Sequence, residues 1–256
     1  MAEIVVADKD YDHSIAENPN CYTLHNGRTL YISTRIRDRV ILNDTSNLLF
    51  IDDVWPGAKV MAEFLNSNSK YCNNKAVLEL GAGAALPSLV ASALGARLTV
   101  VTDFPEFSVL DHIATLVERN KLSNCNVLAH KWGEDMDKLL HVSEDTLNGY
   151  DLIILAELLW KDTYPEHFRL LTSVAHCLSK EAGIAVVAFA HRATAKHSEE
   201  NDMEFFDTAQ RDFGLKCTRV CTSADYYDVD SDEKATVKLY FMHFAENLSV
   251  EYSLCS

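Results

Sequence analysis

The stretch AVLELGAGAALPSL, residues 76–89, decides the fold of this chain. A short apolar run ends at Leu80, glycines follow at Gly81 and Gly83, and a helical pattern begins directly behind them. Glycine lets the backbone turn tightly and lets a ligand approach it closely. A strand, a glycine-rich turn and a helix in this order are typical of a nucleotide site beside the first strand of a doubly wound sheet.

The residues around this turn narrow the choice of nucleotide. The dinucleotide fingerprint has a third glycine where this chain has Leu86, which disfavours NAD. The next apolar run ends at Asp103, 22 residues after Gly81, and a carboxylate at that point can accept both hydroxyls of a ribose. Asp103 also precedes Pro105, so a turn-forming or helix-capping role for its carboxylate stays open.

Short apolar runs alternate with amphipathic stretches from residue 76 onward, which predicts βαβ units and a parallel sheet. The last two runs have only a loop over 224–235 between them and predict an antiparallel hairpin. We therefore expect an α/β fold with a Rossmann-like, doubly wound sheet of seven strands, six of them parallel and the last reversed. The strands are expected at 76–80, 97–102, 126–130, 151–156, 183–190, 215–223 and 235–244, and the helices at 87–94, 107–120, 134–141, 164–179 and 199–213.

The residues before this sheet predict a small extension. The stretch CYTLHNGRTLYIS, residues 21–33, has two strand-like runs around an Asn-Gly pair and predicts a β-hairpin. A helix is expected to begin near Pro56, because proline is favoured at the first helical position. We expect an N-terminal extension over 1–45 that carries the hairpin, and one larger domain over 46–256.

The chain is strongly acidic. Its 256 residues include 38 Asp and Glu against 23 Lys and Arg, which gives a formal net charge of −15. Such a charge repels a phosphate backbone and no basic patch offsets it, so we do not expect a nucleic-acid partner. A basic protein partner is electrostatically favoured.

Membrane, secreted and metal-binding classes are also disfavoured. No stretch approaches the roughly 20 apolar residues that a membrane span needs, and the opening MAEIVVADKDYD lacks the pattern of a secretory signal. We therefore expect a cytoplasmic protein. The seven cysteines are odd in number, scattered and without a C-x-x-C pair, which argues against a disulfide framework and a zinc site. We predict no bound metal.

Several motifs in order along the chain resemble those of the seven-β-strand methyltransferases, and within them the family-16 protein lysine methyltransferases. The resemblance covers roughly residues 45 to 245. It is carried by VLELGAGAALPSLVASALGA, VVTDFPE, KWGED, DLIILAELLW followed by EHFRLL, and FAHRATAKHSEENDMEFFDTA.

The resemblance implies that S-adenosylmethionine is the cofactor and S-adenosylhomocysteine the product. Asp103 would bind the ribose, Trp132 would flank the adenine, and Glu79 would support the glycine-rich turn or the cofactor's amino group. Trp55 would close the pocket, although both tryptophans also suit positions in the core. The implied cofactor-binding residues are Trp55, Glu79, Gly81, Ala82, Gly83, Asp103, Phe104, Trp132 and Ala156.

The resemblance also implies methyl transfer to an amine. The acceptor would be the N-terminal α-amine or a lysine of a basic protein, translation elongation factor 1-alpha. The family commonly has Asp after the fourth strand of the sheet. Here Glu157 follows Ala156, and it is our candidate for orienting the amine or relaying its proton through water. The candidates for acceptor binding are Trp160, Tyr226, Tyr227 and Asp228.

Two other functions stay open for what we expect to be a monomer. One is a small-molecule N-methyltransferase that acts on an amine such as nicotinamide. The other is a non-catalytic protein-binding scaffold that keeps the fold of a methyltransferase. A scaffold has no physical need for a ribose-binding acid, so the combination of Gly81, Gly83 and Asp103 favours an enzyme.

Overall fold

The computed structural model describes residues 21–32, 54–160, 162–190, 199–228 and 233–244. The strands in these ranges are β1 (Cys21–Thr23), β2 (Thr29–Tyr31), β3 (Ala76–Glu79), β4 (Leu98–Asp103), β5 (Cys125–Ala129), β6 (Leu152–Ala156), β7 (Ile184–Ala190), β8 (Leu215–Asp228) and β9 (Glu233–Phe244). The α-helices are α1 (Pro56–Ser67), α2 (Leu86–Ala93), α3 (Phe107–Arg119), α4 (Asp137–Leu140), α5 (His167–Cys177) and α6 (Glu199–Phe213).

Seven strands form one sheet in the order β5-β4-β3-β6-β7-β9-β8, and β1 pairs with β2 in a separate hairpin. Strands β3 to β7 are parallel to one another, whereas β9 is antiparallel to both β7 and β8. Six strands therefore share one direction and the last is reversed, which confirms the predicted fold class. The carboxyl ends of β3, β4, β5 and β6 meet at one edge of the sheet, here called the carboxyl edge.

Both faces of the sheet are covered by helices. Helices α1, α2 and α3 pack on one face through side chains such as Leu65 and Leu89. Helices α4, α5 and α6 pack on the other face through side chains such as Leu170 and Phe206. Burial of each such side chain contributes about 1.5–3 kcal/mol to stability. Across the described ranges, no helix combines the length and the apolar composition that a bilayer crossing requires.

The β1–β2 hairpin packs on the face that α1 and α3 cover. Leu24, Leu30 and Ile32 are buried in the same hydrophobic cluster as those helices. Asn120, directly after α3, accepts a hydrogen bond from the N–H of Tyr31 at 2.7 Å and donates one to its carbonyl at 2.9 Å. The hairpin therefore shares one core with the sheet.

The structure differs from the sequence prediction at the last hairpin. The predicted loop over 224–235 is wrong, because β8 continues to Asp228 and β9 begins at Glu233. The β7–β9 pairing ends at Ala190 and Val237, and four further β8–β9 pairs carry the hairpin beyond it. At about 3.4 Å per residue this extension is ~13 Å long. Aspartate is depleted in strands, so propensity alone ended β8 too early and began β9 too late, whereas pairing between the two strands extends them.

The helix predicted over 134–141 is also too long. Only the single turn of α4, Asp137–Leu140, is helical. Asp135 has φ of +47°, a left-handed conformation that a right-handed helix cannot include. The chain after β5 therefore continues as a turn before α4 begins.

Candidate cofactor and acceptor site

The turn after β3 is fixed by two glycines in left-handed backbone conformations, with φ of +63° at Gly81 and +51° at Gly83. A Cβ on Gly81 would lie 2.8 Å from Leu158 Cδ2 and 3.1 Å from Trp132 Cζ2, so a larger residue would force a shift. A Cβ on Gly83 would meet no atom within 4 Å. The turn therefore leaves the backbone at Gly83 open to a ligand.

Asp103 ends β4 beside this turn. Its Oδ2 accepts a hydrogen bond from the N–H of Gly83 at 2.7 Å, and its Oδ1 accepts one from the N–H of Phe104 at 2.7 Å. Burial raises the pKa of Asp103, and the two backbone hydrogen bonds act in the opposite direction. Each oxygen keeps a further lone pair. The carboxylate thus accepts hydrogen bonds from the backbone of the turn, as the turn-forming alternative for Asp103 predicted. It can still accept hydrogen bonds from hydroxyl groups.

Glu79 is buried in β3, and its Oε2 accepts a hydrogen bond from the N–H of Ser88 at 3.0 Å. Ser88 lies in the first turn of α2, where the helix dipole favours negative charge. Burial raises the pKa of Glu79 to about 8, Ser88 lowers it, and the nearby Asp103 raises it further. Glu79 therefore supports the helix behind the glycine-rich turn.

Trp132 follows β5 and lies against the turn at Gly81. It is half-buried and packs against the hydrophobic cluster between the sheet and helices α4 to α6. The N–H of His130 donates to the carbonyl of Asp103 at 2.9 Å, so the segment that carries Trp132 is tied to the end of β4. Two of the predicted cofactor residues, Trp132 and Asp103, are thus brought to the same turn.

Glu157 follows β6 with φ of +58°. Its Oε1 accepts a hydrogen bond from the N–H of Gly57 at 2.7 Å, and its Oε2 accepts one from the N–H of Ala190 at 3.4 Å. A Cβ on Gly57 would lie 2.8 Å from the carbonyl oxygen of Ala188, a backbone atom that cannot move aside cheaply. The carboxylate therefore holds the start of α1 against the ends of β6 and β7.

Four other predicted cofactor residues lie on elements that reach this edge. Trp55 is half-buried and directly precedes α1. Ala82 is buried, and its N–H donates to the carbonyl of Thr102 at 3.0 Å. Phe104 is 57% exposed, and Ala156 is the last residue of β6.

The predicted acceptor residues fall into two places. Trp160 is half-buried after β6, and its N–H donates to Thr163 Oγ1 at 3.1 Å. Tyr226, Tyr227 and Asp228 lie at the end of β8, where their backbones pair with residues 235, 234 and 233. The side chains of these three residues lie outside the described part of the structure.

Sequence reasoning missed Gly57 and Leu158. The Pro-Gly pair at the start of α1 is a signal that could have drawn attention to Gly57, whereas nothing in the sequence marks Leu158. Within the described ranges, no group of three or more His, Cys, Asp or Glu is placed to hold a metal ion. An open glycine turn, a fixed carboxylate and an aromatic ring together suit a cofactor that contains a nucleoside.

Comparison with known proteins agrees with this chemistry. A family model described as lysine methyltransferase matches residues 38–212. A relative from Yarrowia lipolytica, named protein N-terminal and lysine N-methyltransferase EFM7, is 30% identical over 217 residues, which are 77% of each chain. The protein of the same name from Candida albicans is 31% identical over 214 residues, which cover 77% of this chain and 79% of the relative.

A solved structure shares the fold. SMU.776, a candidate methyltransferase complexed with SAH, matches with a TM-score of 0.51 at 16% identity, over 88% of this chain and 56% of that one. The family model spans more than half of the 256 residues, which confirms the resemblance found in the motifs. This chain belongs to the lysine methyltransferase family and has the fold of the S-adenosylmethionine-dependent methyltransferases.

Proposed function

We propose that this protein is a cytoplasmic, monomeric enzyme that methylates the N-terminal α-amine or a lysine of a protein, translation elongation factor 1-alpha, with S-adenosylmethionine. The observation that carries the proposal is the Asp103 carboxylate, bonded at 2.7 Å to the N–H of Gly83 in a turn with an open face. The names of the relatives support both kinds of amine as acceptors. The net charge of −15 supports a basic protein as the substrate.

The residues at the carboxyl edge fit this cofactor. The cofactor supplies an activated methyl group, so the protein's part is to bind and orient. In the proposal, Asp103 accepts the ribose hydroxyls and Trp132 offers a flat apolar surface to the adenine. The open backbone at Gly83 leaves room for the ligand. The other proposed contacts come from Trp55, Glu79, Gly81, Ala82, Phe104 and Ala156.

The acceptor must be a neutral amine, because a protonated amine has no lone pair. Ordinary pKa values are about 10.4 for lysine and about 7.7–8.0 for an α-amine, so the α-amine loses its proton more readily. Glu157 is the proposed catalytic residue that orients the amine or relays its proton through water. Its oxygens accept hydrogen bonds from Gly57 and Ala190, which place the carboxylate at the end of β6 on the carboxyl edge.

The proposed docking surface for the acceptor protein is the extended β8–β9 hairpin together with Trp160. The hairpin continues past the end of β7 on the carboxyl side of the sheet. Residues 225–234 include five acidic residues and one basic residue. Clustered negative charge attracts a basic chain, and we assign Tyr226, Tyr227 and Asp228 to contact with it.

The proposal also includes a boundary between an N-terminal extension and the methyltransferase domain. We assign the methyltransferase domain to residues 46–256 and a bracing role to the extension over 1–45. The hairpin within the extension supports this role, because it contributes Leu24 and Leu30 to the core beneath α1 and α3.

The decisive experiment is methyl transfer from isotope-labelled S-adenosylmethionine to purified elongation factor 1-alpha, followed by mass spectrometry of its peptides. Three forms of the acceptor are compared, one unmodified, one with its α-amine acetylated and one with its lysines blocked. We expect label on the unmodified form and none when the reacting amine is blocked. Asp103→Ala, which we expect to bind the cofactor more weakly, serves as the matched control.

The other outcomes separate the remaining functions. Label on nicotinamide but on no protein would indicate a small-molecule enzyme. Binding of S-adenosylhomocysteine without transfer to any acceptor would indicate a scaffold. Label on a different protein in a cell extract, with elongation factor 1-alpha unlabelled, would contradict elongation factor 1-alpha as the substrate but would still support protein methylation.

A further inference from the structure

A buried serine of α5, on the opposite face of the sheet from α2, holds the segment that carries Trp132. Ser173 lies in α5 and is fully buried. Its Oγ accepts a hydrogen bond from the N–H of Gly133 at 2.8 Å and lies 3.0 Å from Nε2 of His130. One hydroxyl thus contacts the residues on both sides of Trp132 and its neighbour Lys131.

The Ser173 hydroxyl forms hydrogen bonds with a backbone N–H and an imidazole at the same time. The hydroxyl accepts from the Gly133 N–H and has one proton of its own to give. Burial lowers the pKa of His130, while Glu134 and Asp135 act in the opposite direction. Nε2 of His130 either accepts the serine proton or donates to the hydroxyl, according to its tautomer, and both arrangements keep the hydrogen bond. Alanine at this position would leave the buried N–H and imidazole unpaired.

The segment is also fixed at its ends. The N–H of His130 donates to the carbonyl of Asp103 at 2.9 Å. Gly133 has φ of +76°, and a Cβ there would lie 3.1 Å from Cβ of Arg169 on α5. Trp132, between these anchors, contacts the turn at Gly81. The segment therefore has little freedom to place the indole elsewhere.

We propose that Ser173 is a positioning residue for cofactor recognition, which holds residues 130–133 so that the Trp132 ring stays against the glycine-rich turn. The inference rests on the proposed role of Trp132 at the cofactor. Ser173 itself does not contact the turn, so its effect passes through Trp132. Helix α5 thereby helps to shape the cofactor site, although none of its residues is among the proposed cofactor contacts.

The test is a double-mutant cycle between Ser173→Ala and Trp132→Ala, read out by calorimetry with S-adenosylhomocysteine. We expect Ser173→Ala to weaken binding on the order of tenfold and to raise KM for S-adenosylmethionine with little change in kcat. In the Trp132→Ala background the same change should have almost no further effect. Ser173→Thr keeps the hydroxyl and should restore most of the affinity.

Thr172→Ala is the matched control, because Thr172 is a half-buried neighbour whose hydroxyl donates to the carbonyl of Phe168 within α5. If Ser173→Ala does not fold, His130→Asn removes the same hydrogen bond from the other side and goes through the same cycle. Unchanged affinity for S-adenosylhomocysteine in a folded variant would overturn this inference, and so would an equal loss of affinity with and without the Trp132 ring. Either result would leave the proposed function intact. If the wild-type protein binds no S-adenosylhomocysteine, the proposed function fails and this inference fails with it.

Discussion

Oε1 of Glu157 lies 2.7 Å from the backbone nitrogen of Gly57, so a carboxylate at the end of β6 holds the first turn of α1. Its Oε2 lies 3.4 Å from the nitrogen of Ala190 at the end of β7. The first turn of α1 contains no acidic residue of its own, and negative charge is favoured there. One side chain therefore joins three elements where the proposed acceptor amine would arrive.

Replacing this carboxylate should separate its two roles. We expect Glu157→Gln to lower kcat about tenfold or more, because it removes the charge that orients the amine, with little change in affinity for S-adenosylhomocysteine. Loss of charge at the start of α1 should also lower the free energy of unfolding by about 0.3–1 kcal/mol. Steady-state kinetics and calorimetry on one preparation check this, with Glu118→Gln on the exposed side of α3 as control. Normal turnover with lowered stability would leave Glu157 a structural role only.

Asp103→Ala should weaken binding of S-adenosylhomocysteine at least about tenfold, because hydrogen bonds to a charged group contribute roughly 1.5–3 kcal/mol each. Isothermal calorimetry measures the change, and circular dichroism checks that the variant is folded. Asp111→Ala, at an exposed position of α3, is the control. Unchanged affinity would contradict the assignment of Asp103 as the ribose-binding residue. Tight binding of NAD by the wild type would contradict S-adenosylmethionine as the cofactor.

Glu79→Gln should make the stability of the cofactor-free protein less dependent on pH. Burial raises the pKa of Glu79 in the folded state to about 8, above its ordinary value of 4.5. The stabilisation from the protonated carboxyl is therefore complete below pH 4.5 and is lost as the pH rises through 8. Relative to that of the wild type, the free energy of unfolding of Glu79→Gln should rise by up to about 1.4 kcal/mol for each pH unit in this window.

Urea denaturation at several pH values across that window measures the difference in the free energy of unfolding. Glu118→Gln, at an exposed position of α3, is again the control. A constant difference between Glu79→Gln and the wild type would mean that Glu79 is not held in its protonated form.

The acidic hairpin should matter for the protein acceptor and not for the cofactor. Replacing Asp228, Asp230 and Asp232 with asparagine removes three negative charges from the stretch 228–232. We expect a higher KM for elongation factor 1-alpha and a weaker dependence of KM on salt, with unchanged affinity for S-adenosylhomocysteine. Kinetics over a range of ionic strength test this. A KM that does not change at low salt would exclude the hairpin as the docking surface.

The fold and the centre of the site could be predicted because their signals are local. The strand before Gly81, the glycines themselves and the acid at the end of the next strand all follow from short patterns. Ser173 and Gly57 could not be found in this way. Ser173 bonds to a residue 40 positions away and Gly57 to one 100 positions away, so their roles depend on packing that brings distant elements together.

The position of β9 between β7 and β8 has a consequence for synthesis of the protein. Strand β8 is made before β9, yet in the described sheet it pairs only with β9. The edge of β7 that β9 covers thus stays unpaired on the ribosome while α6 and β8 emerge. Exposed strand edges recruit other chains, and non-local pairings form slowly. We therefore expect a nascent chain of this methyltransferase to need protection by chaperones most in the interval before β9 is made.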